Sequence, residues 1–522
     1  MTHANLDARR APTPWSWSNR VLLLSLAGIF FLTLYPFEFD PQRLASFLSS
    51  FALNGWRKGL DDVLGIFLNI LLFIPFGFGL AEKLRERGKS RSATLIAVYA
   101  AGALLSYFVE LLQFYIPSRD SGWGDVITNS FGAFTGAWIF EAAGARIIAW
   151  FSALEQELDS SLSIPTIGVI VALYTGLWCL LAAPLQKQVR ITNWVRDSFL
   201  AVGDHASLYP APPWQGRMLE LDIWNRSLSS QLARRLTAQQ PTEAGASDAL
   251  AVYKFSGPAP FHDLEHFLPD LDWASQTPRT ADGALFDGRS WLISAGGAPM
   301  LVSSVEGSGQ FALRLICQPA KTSHTDATIV SVSSPSGTIN MELGQYGSSL
   351  AFWFRNRLST RRSRMGWNVP QVFATNQTRN VLISFNGSVL SLYVDGREYS
   401  KHYELGPGVA LARYVRRLKT EELEGYEFIL YAMIFIPVGC LLVFAWRKSD
   451  VGWIERSSFL LAGLLLPAVA LEWVVASVAG RTMSPGEICF SVLLALAGCA
   501  WMNADRGSSG AFRRAQELVS AR

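Results

Sequence analysis

Charge is scarce in this chain. Asp, Glu, Lys and Arg make up 17% of 522 residues, while 50% are hydrophobic. That balance excludes a single soluble domain solvated on all sides. The net charge of +3 outlines no polybasic nucleic-acid face. Cysteine is also sparse. Of five, Cys179, Cys440, Cys489 and Cys499 fall in apolar runs, and Cys317 stands alone in the polar middle. The middle therefore closes no internal disulfide, and the lack of a Cys-x-x-Cys pair removes the common zinc and redox patterns. No nucleophile or metal set stands out, and no cofactor is expected.

What the chain has in quantity is apolar runs. Val21–Tyr35 is followed by Pro-Phe-Glu-Phe-Asp rather than a small-x-small cleavage site, so it reads as an anchor after a polar tail at 1–20. Further runs occupy about 63–81, 93–116, 125–141 and 164–184, and then 427–446, 457–479 and 486–502. These eight candidate spans predict a polytopic α-helical membrane protein. The loop 82–92 carries five Lys/Arg and is expected in the cytoplasm, with Arg146, Arg447 and Lys448 on the same side. Both termini are then cytoplasmic, including a tail at 504–522, and the polar middle is extracytoplasmic. Arg413, Arg416, Arg417 and Lys419 break the rule and fit a short surface helix.

The stretch Tyr107–Gly136 is the most informative. Glu110 and Gln113, three apart, share one helix face, and Asp125 and Asn129, four apart, share another. A polar turn containing Arg119 joins them. Upstream, Asp62, Asn69 and a Phe-Ile-Pro-x-Gly segment lie in Asp62–Gly77. Glu-x-x-Gln, an Arg in the turn, Asp-x-x-x-Asn and spaced glycines, in that order, resemble the signature of the VanZ-like family. The resemblance implies a bacterial cytoplasmic-membrane protein, a link to glycopeptide (teicoplanin) response, and no settled reaction. Asp62, Asn69, Glu110, Gln113, Arg119, Asp125 and Asn129 are the candidate ligand-binding residues. Arg119 would hold a phosphate or carboxylate, Glu110 is the candidate acid or base, and the amides would meet sugar oxygens. The competing reading is an interhelical lock, since a buried charge demands a partner.

The polar interval, about 186–415, reads as β. Gly309–Ile316, Thr338–Leu343 and Ser349–Phe354 alternate, and Val381–Phe385 and Val389–Val394 flank Asn386-Gly387, a hairpin signal. Short strands at this spacing predict an inserted all-β two-sheet jelly-roll sandwich. The segment NVLISFNGSVLSLYVDGRE resembles the concanavalin A-like or laminin-G-like lectin fold, which implies carbohydrate binding. Phe199–Leu228 resembles a segment that closes such sandwiches yet comes first, which suggests a permuted order. Glu220 and Asp222 resemble half of a glucanase Glu-x-Asp-x-x-Glu motif, but position 225 is Asn. Alternation alone explains them, with Leu219, Leu221 and Ile223 facing in. His262 and His266 could take a metal, though their context is irregular. Asp395-Gly396 reads as a turn. Trp291, Trp353, Phe354 and Trp367 serve the core or stack on sugar, and Trp353 and Phe354 cannot both point inward.

The last three spans repeat the early ones. A single offset of 362 takes Arg57 to Lys419, Asp62 to Glu424, Pro75 to Pro437, Arg85 to Arg447, Glu110 to Glu472, Arg119 to Arg481, Asp125 to Glu487 and Gly136 to Gly498. The amides are lost: Asn69, Gln113 and Asn129 become Tyr431, Val475 and Ser491. Residues 423–503 are therefore expected to be a degenerate second copy of 61–141. Its Glu424, Glu472, Arg481 and Glu487 are read as structural. The expected domains are a five-span unit at 21–184, the sandwich at 186–415 and the three-span repeat. Three functions fit: recognition of an envelope glycan or lipid-linked saccharide beside membrane lipids, an enzyme acting on a lipid-linked group, and a structural scaffold. Binding is favoured over catalysis.

Overall fold

The computed structural model describes residues 17–35, 37, 39, 63–116, 122–206, 213–238, 248–274, 284–359, 365–399, 403–415, 423–448 and 451–503. The tails expected at 1–20 and 504–522 lie almost wholly outside them. The helices are α1 (Trp17–Leu34), α2 (Val63–Glu86), α3 (Arg91–Phe114), α4 (Trp123–Ser161), α5 (Ile164–Val189), α6 (Ser230–Ala238), α7 (Pro299–Ser308), α8 (Pro407–Val415), α9 (Leu423–Trp446), α10 (Trp453–Ala479) and α11 (Pro485–Asn503). Among the described residues, seven are long and apolar enough to cross a membrane, namely α2 to α5 and α9 to α11. The apolar part of α1, Asn19–Leu34, is shorter. The protein is a polytopic helical membrane protein with an inserted β domain.

The chain forms two compact units. One comprises residues 1–174, 432–467 and 489–522, and the other 175–431 and 468–488. In the first, α2 and α4 pack backbone to backbone. A Cβ on Gly77 would overlap the Ala133 carbonyl, and Cβ atoms on Gly132 and Gly136 would overlap those of Ile70 and Ile74. Small residues four apart permit this approach, and close packing drives association where lipid offers no hydrophobic gain. The same happens between α9 and α11, where Gly439 meets the Ala495 carbonyl and Gly498 that of Ile436.

Helix α4 runs for 39 residues, well past the apolar run that ends near 141. Its second half, rich in Ala, Leu and Glu, favours helix, and no proline intervenes before Pro165. Glu155 near its end meets Arg447 Nη1 at 2.8 Å and Arg20 Nη1 at 3.6 Å. Arg20 is 2% exposed. Arg85 holds Glu141 at 3.3 Å, and Arg447 donates to the Met502 carbonyl at 2.8 Å.

The second unit carries the two sheets. One has seven strands in the order β11-β10-β9-β8-β1-β6-β4. The other runs β14-β13-β12-β7-β2-β3, with β15 on β13 and β5 on β2. All these strand pairs are antiparallel. Strands β10 (Ser349–Phe354) and β13 (Val389–Val394) have the bounds read from alternation, and β12 (Arg379–Phe385) and β7 (Phe311–Pro319) extend theirs slightly. Strand β1 (Phe199–Val202) lies between β8 (His324–Ser333) and β6 (Leu292–Ser294). Strand β2 (Gln215–Trp224) lies between β7 and β3 (Ala251–Lys254), so the early segment is central in both sheets. Phe311 and Phe385 of one sheet meet Phe352 and Phe354 of the other, with ring centroids 5.0–5.9 Å apart. Trp353, between the last two, points to the opposite side and is only half-buried. Trp367 joins the core.

Gly136→Leu is expected to cost about 1–3 kcal/mol or more through overpacking. A thermal melt of the detergent-solubilised protein reads this as a lower midpoint. Trp138→Leu, at a position 52% exposed, leaves the midpoint unchanged.

Candidate functional site

The polar residues of α2, α3 and α4 meet at one end of the first unit. Glu110 is 1% exposed, and its Oε2 accepts the Gly122 backbone N–H at 2.8 Å, just ahead of α4. Asn69 Nδ2 donates to Asp125 Oδ1 at 2.8 Å. Gln113 Nε2 donates to the Thr33 carbonyl of α1 at 2.8 Å. Asn129 Nδ2 donates to Ser106 Oγ at 2.9 Å. Four helices are thereby tied together. Two buried acceptors remain without a hydrogen-bond partner among the described residues, Gln113 Oε1 and Asn129 Oδ1. Asp62 and Arg119 lie outside the described residues, as does the side chain of Glu424. Thr33 and Ser106 were missed from the sequence. One contributes only its backbone, and the other is a small hydroxyl inside an apolar run.

The positions 362 residues later make matching contacts. Glu472 Oε1 accepts the Ser484 N–H at 2.6 Å, as Glu110 accepts that of Gly122. The Tyr431 hydroxyl hydrogen-bonds the Glu487 carboxylate, as Asn69 does Asp125. Arg481 grips Glu472 with both Nη atoms, Nη2 to Oε2 at 3.2 Å, and its Nε donates to Ser388 Oγ at 3.3 Å. Glu427, one turn before Tyr431, accepts the Gly408 and Val409 N–H groups at 3.1 and 2.8 Å, which closes the N-terminus of α8. Glu404, Glu427, Tyr431, Arg481, Glu487 and Ser388 line a cavity of about 180 Å³ within the second unit. Sequence reasoning missed Glu427 and Glu404, because neither has an ionisable counterpart at the offset: positions 65 and 42 are Gly and Gln.

In the sandwich, Glu220 and Asp222 do point away from the inter-sheet core, but they are not exposed. Helix α6, expected as an exposed helix end, covers that face through Ala233 and Leu236. Beneath it Arg314 Nη1 bonds Glu220 at 2.9 Å and Asp222 at 2.7 Å, and its Nε donates to Asn380 at 3.1 Å. The acids are thus spent on an internal ion network. Burial, then the neighbouring Glu220 charge, pushes the Asp222 carboxyl up to about 7 against the pull of Arg314. His262 pairs with Asp270 at 2.9 Å on the surface, and Asp263 accepts four loop N–H groups. Among the described residues no cluster of three His, Cys, Asp or Glu is placed to hold a metal. Asp395 and Gly396 take positive φ angles of 50° and 80° in the turn after β13. Cys317 is fully buried, which raises its thiol pKa and leaves it inert.

Fold and site together define a multi-pass membrane protein whose helices carry buried carboxylate and amide clusters. More particularly, residues 16–144 match the family model of VanZ/LLP1, so this part is VanZ-like. Comparison with curated proteins and with solved structures gives no match.

Two measurements follow. Arg314→Met strands two buried carboxylates and is expected to cost about 3–5 kcal/mol, read by denaturant unfolding of the sandwich signal. The unfolded chain releases the Asp222 proton near pH 4, at the ordinary aspartate pKa of about 3.9. The folded chain retains it to about pH 7. Its stabilising effect is therefore full at low pH and is lost as pH rises through that window. Asp222→Asn is expected to flatten the pH dependence of the melting midpoint between the two values.

Proposed function

We propose that the VanZ-like helical domain recognises the headgroup of a lipid-linked saccharide at the outer face of the membrane. The observation that carries this reading is the pair of buried amide oxygens, Gln113 Oε1 and Asn129 Oδ1, left without donors in a cluster otherwise fixed by protein contacts. Buried acceptors without partners are costly, and saccharide hydroxyls are matching donors. Arg119, three residues before Gly122, is the partner for a phosphate in this reading. Asp62 stands ahead of α2, and Asn69 and Asp125 orient one another.

The proposal extends to the rest of the chain. Residues 423–503 are a degenerate second copy, supported by the matched Glu–amide, Glu–Tyr and glycine contacts at one offset. The sandwich is a lectin-like extracytoplasmic domain, supported by its two antiparallel sheets, and both termini are cytoplasmic. The link to glycopeptide response enters through the VanZ-like part alone. A second reading, an interhelical lock, is favoured by the Glu110–Gly122 and Asn69–Asp125 contacts, since each satisfies a buried group internally.

Mass spectrometry of lipid co-purified with the intact protein separates the two. A polyprenyl-phosphate or glycolipid present in the parent and lost in both Arg119→Ala and Gln113→Leu is the expected result. Bulk phospholipid alone in every preparation overturns the headgroup reading and leaves the lock.

A further inference from the structure

The cavity of about 180 Å³ in the second unit has a wall chemistry unlike that of a phosphate site. Its cation is already engaged: Arg481 spends both Nη atoms on Glu472 and its Nε on Ser388. Three carboxylates, Glu404, Glu427 and Glu487, line the same space. An anion entering there meets three like charges and no uncommitted guanidinium donor. Among the described residues no trio of acids is placed to hold a metal ion, so the charge is not arranged for a divalent cation.

The wall also presents hydroxyls. Ser388 and Tyr431 line it, and both are buried. Behind Ser388 stands Gln186, which is 0% exposed. Its Nε2 donates to Ser388 Oγ at 3.2 Å, and its Oε1 has no hydrogen-bond partner among the described residues. That lone acceptor is a second feature favouring a donor-rich ligand. The volume corresponds to about six waters, at roughly 30 Å³ each. This admits one sugar ring and is too small for two.

We infer that this cavity binds a single amino-sugar unit, with its ammonium among Glu404, Glu427 and Glu487 and its hydroxyls toward Ser388 and Tyr431. The site lies in the second repeat and the adjoining sandwich turn, and it does not depend on the Arg119 headgroup reading.

Titration calorimetry of the full-length protein in detergent, with glucosamine, glucose and ethanolamine as probes, tests it. Glucosamine is expected to bind at least tenfold more tightly than either of the others. Glu427→Gln keeps an acceptor for the α8 N–H groups while removing charge, and it is expected to abolish that preference. Glu404→Gln, at a half-buried strand position, gives a smaller loss in the same direction. Equal binding of glucose overturns the ammonium assignment, and equal binding of ethanolamine overturns the sugar. No binding of glucosamine, or an unchanged preference in both variants, overturns the site. Lipid read from the same preparations keeps the two ideas apart: Glu427→Gln loses the amine preference and retains any co-purified glycolipid.

Discussion

A carboxylate buried at the end of one helix, held by the backbone N–H that opens the next, is the contact on which the helical architecture turns. Glu110 meets Gly122 in this way, and Glu472 meets Ser484. Removing such an acid from water is expensive, and only a fixed donor offsets the cost. The turn between the two helices is therefore not free to choose its geometry. Once it is closed, Asp125 and Glu487 are brought to Asn69 and Tyr431 on the preceding helix. The glycines then let the first and third helices of each set approach to backbone contact.

The paired contacts also show how a site can change while its frame persists. An amide at position 69 and a phenol at 431 fill the same place beside an acid, and both satisfy it. Asn donates from a short arm. Tyr reaches farther and brings a ring that packs, being 3% exposed. The loss of amides that marked the later set as purely structural is thus a replacement by a different donor. Around it stand Glu427 and Glu404, which have no earlier ionisable equivalent.

Much of this was legible in the chain. Apolar runs gave the spans, and alternation with Asn-Gly and Asp-Gly turns gave β10, β12 and β13. One offset in charge, Pro and Gly anticipated contacts that helix geometry then made. What stayed hidden was of another kind. The cover that α6 lays over Glu220 and Asp222 depends on tertiary packing, since a short polar helix carries no mark of what lies beneath it. The length of α4 escaped a reading based on hydropathy, because its far half is helical by propensity rather than by burial in lipid. The cavity escaped because its wall is assembled from residues 386 to 487, and its key acid, Glu427, is occupied locally in capping α8.

That long helix has a mechanical consequence. A continuous rod of 39 residues measures about 58 Å at 1.5 Å per residue, nearly twice a hydrocarbon core of about 30 Å. Asp125 stands in its first turn, and Glu155, which joins Arg20 to Arg447, lies near its last. The carboxylate–amide cluster and the arginine clamp are thus two ends of one lever. A tilt that accommodates a guest at the first must be absorbed as displacement or strain at the second, on the far side of the bilayer.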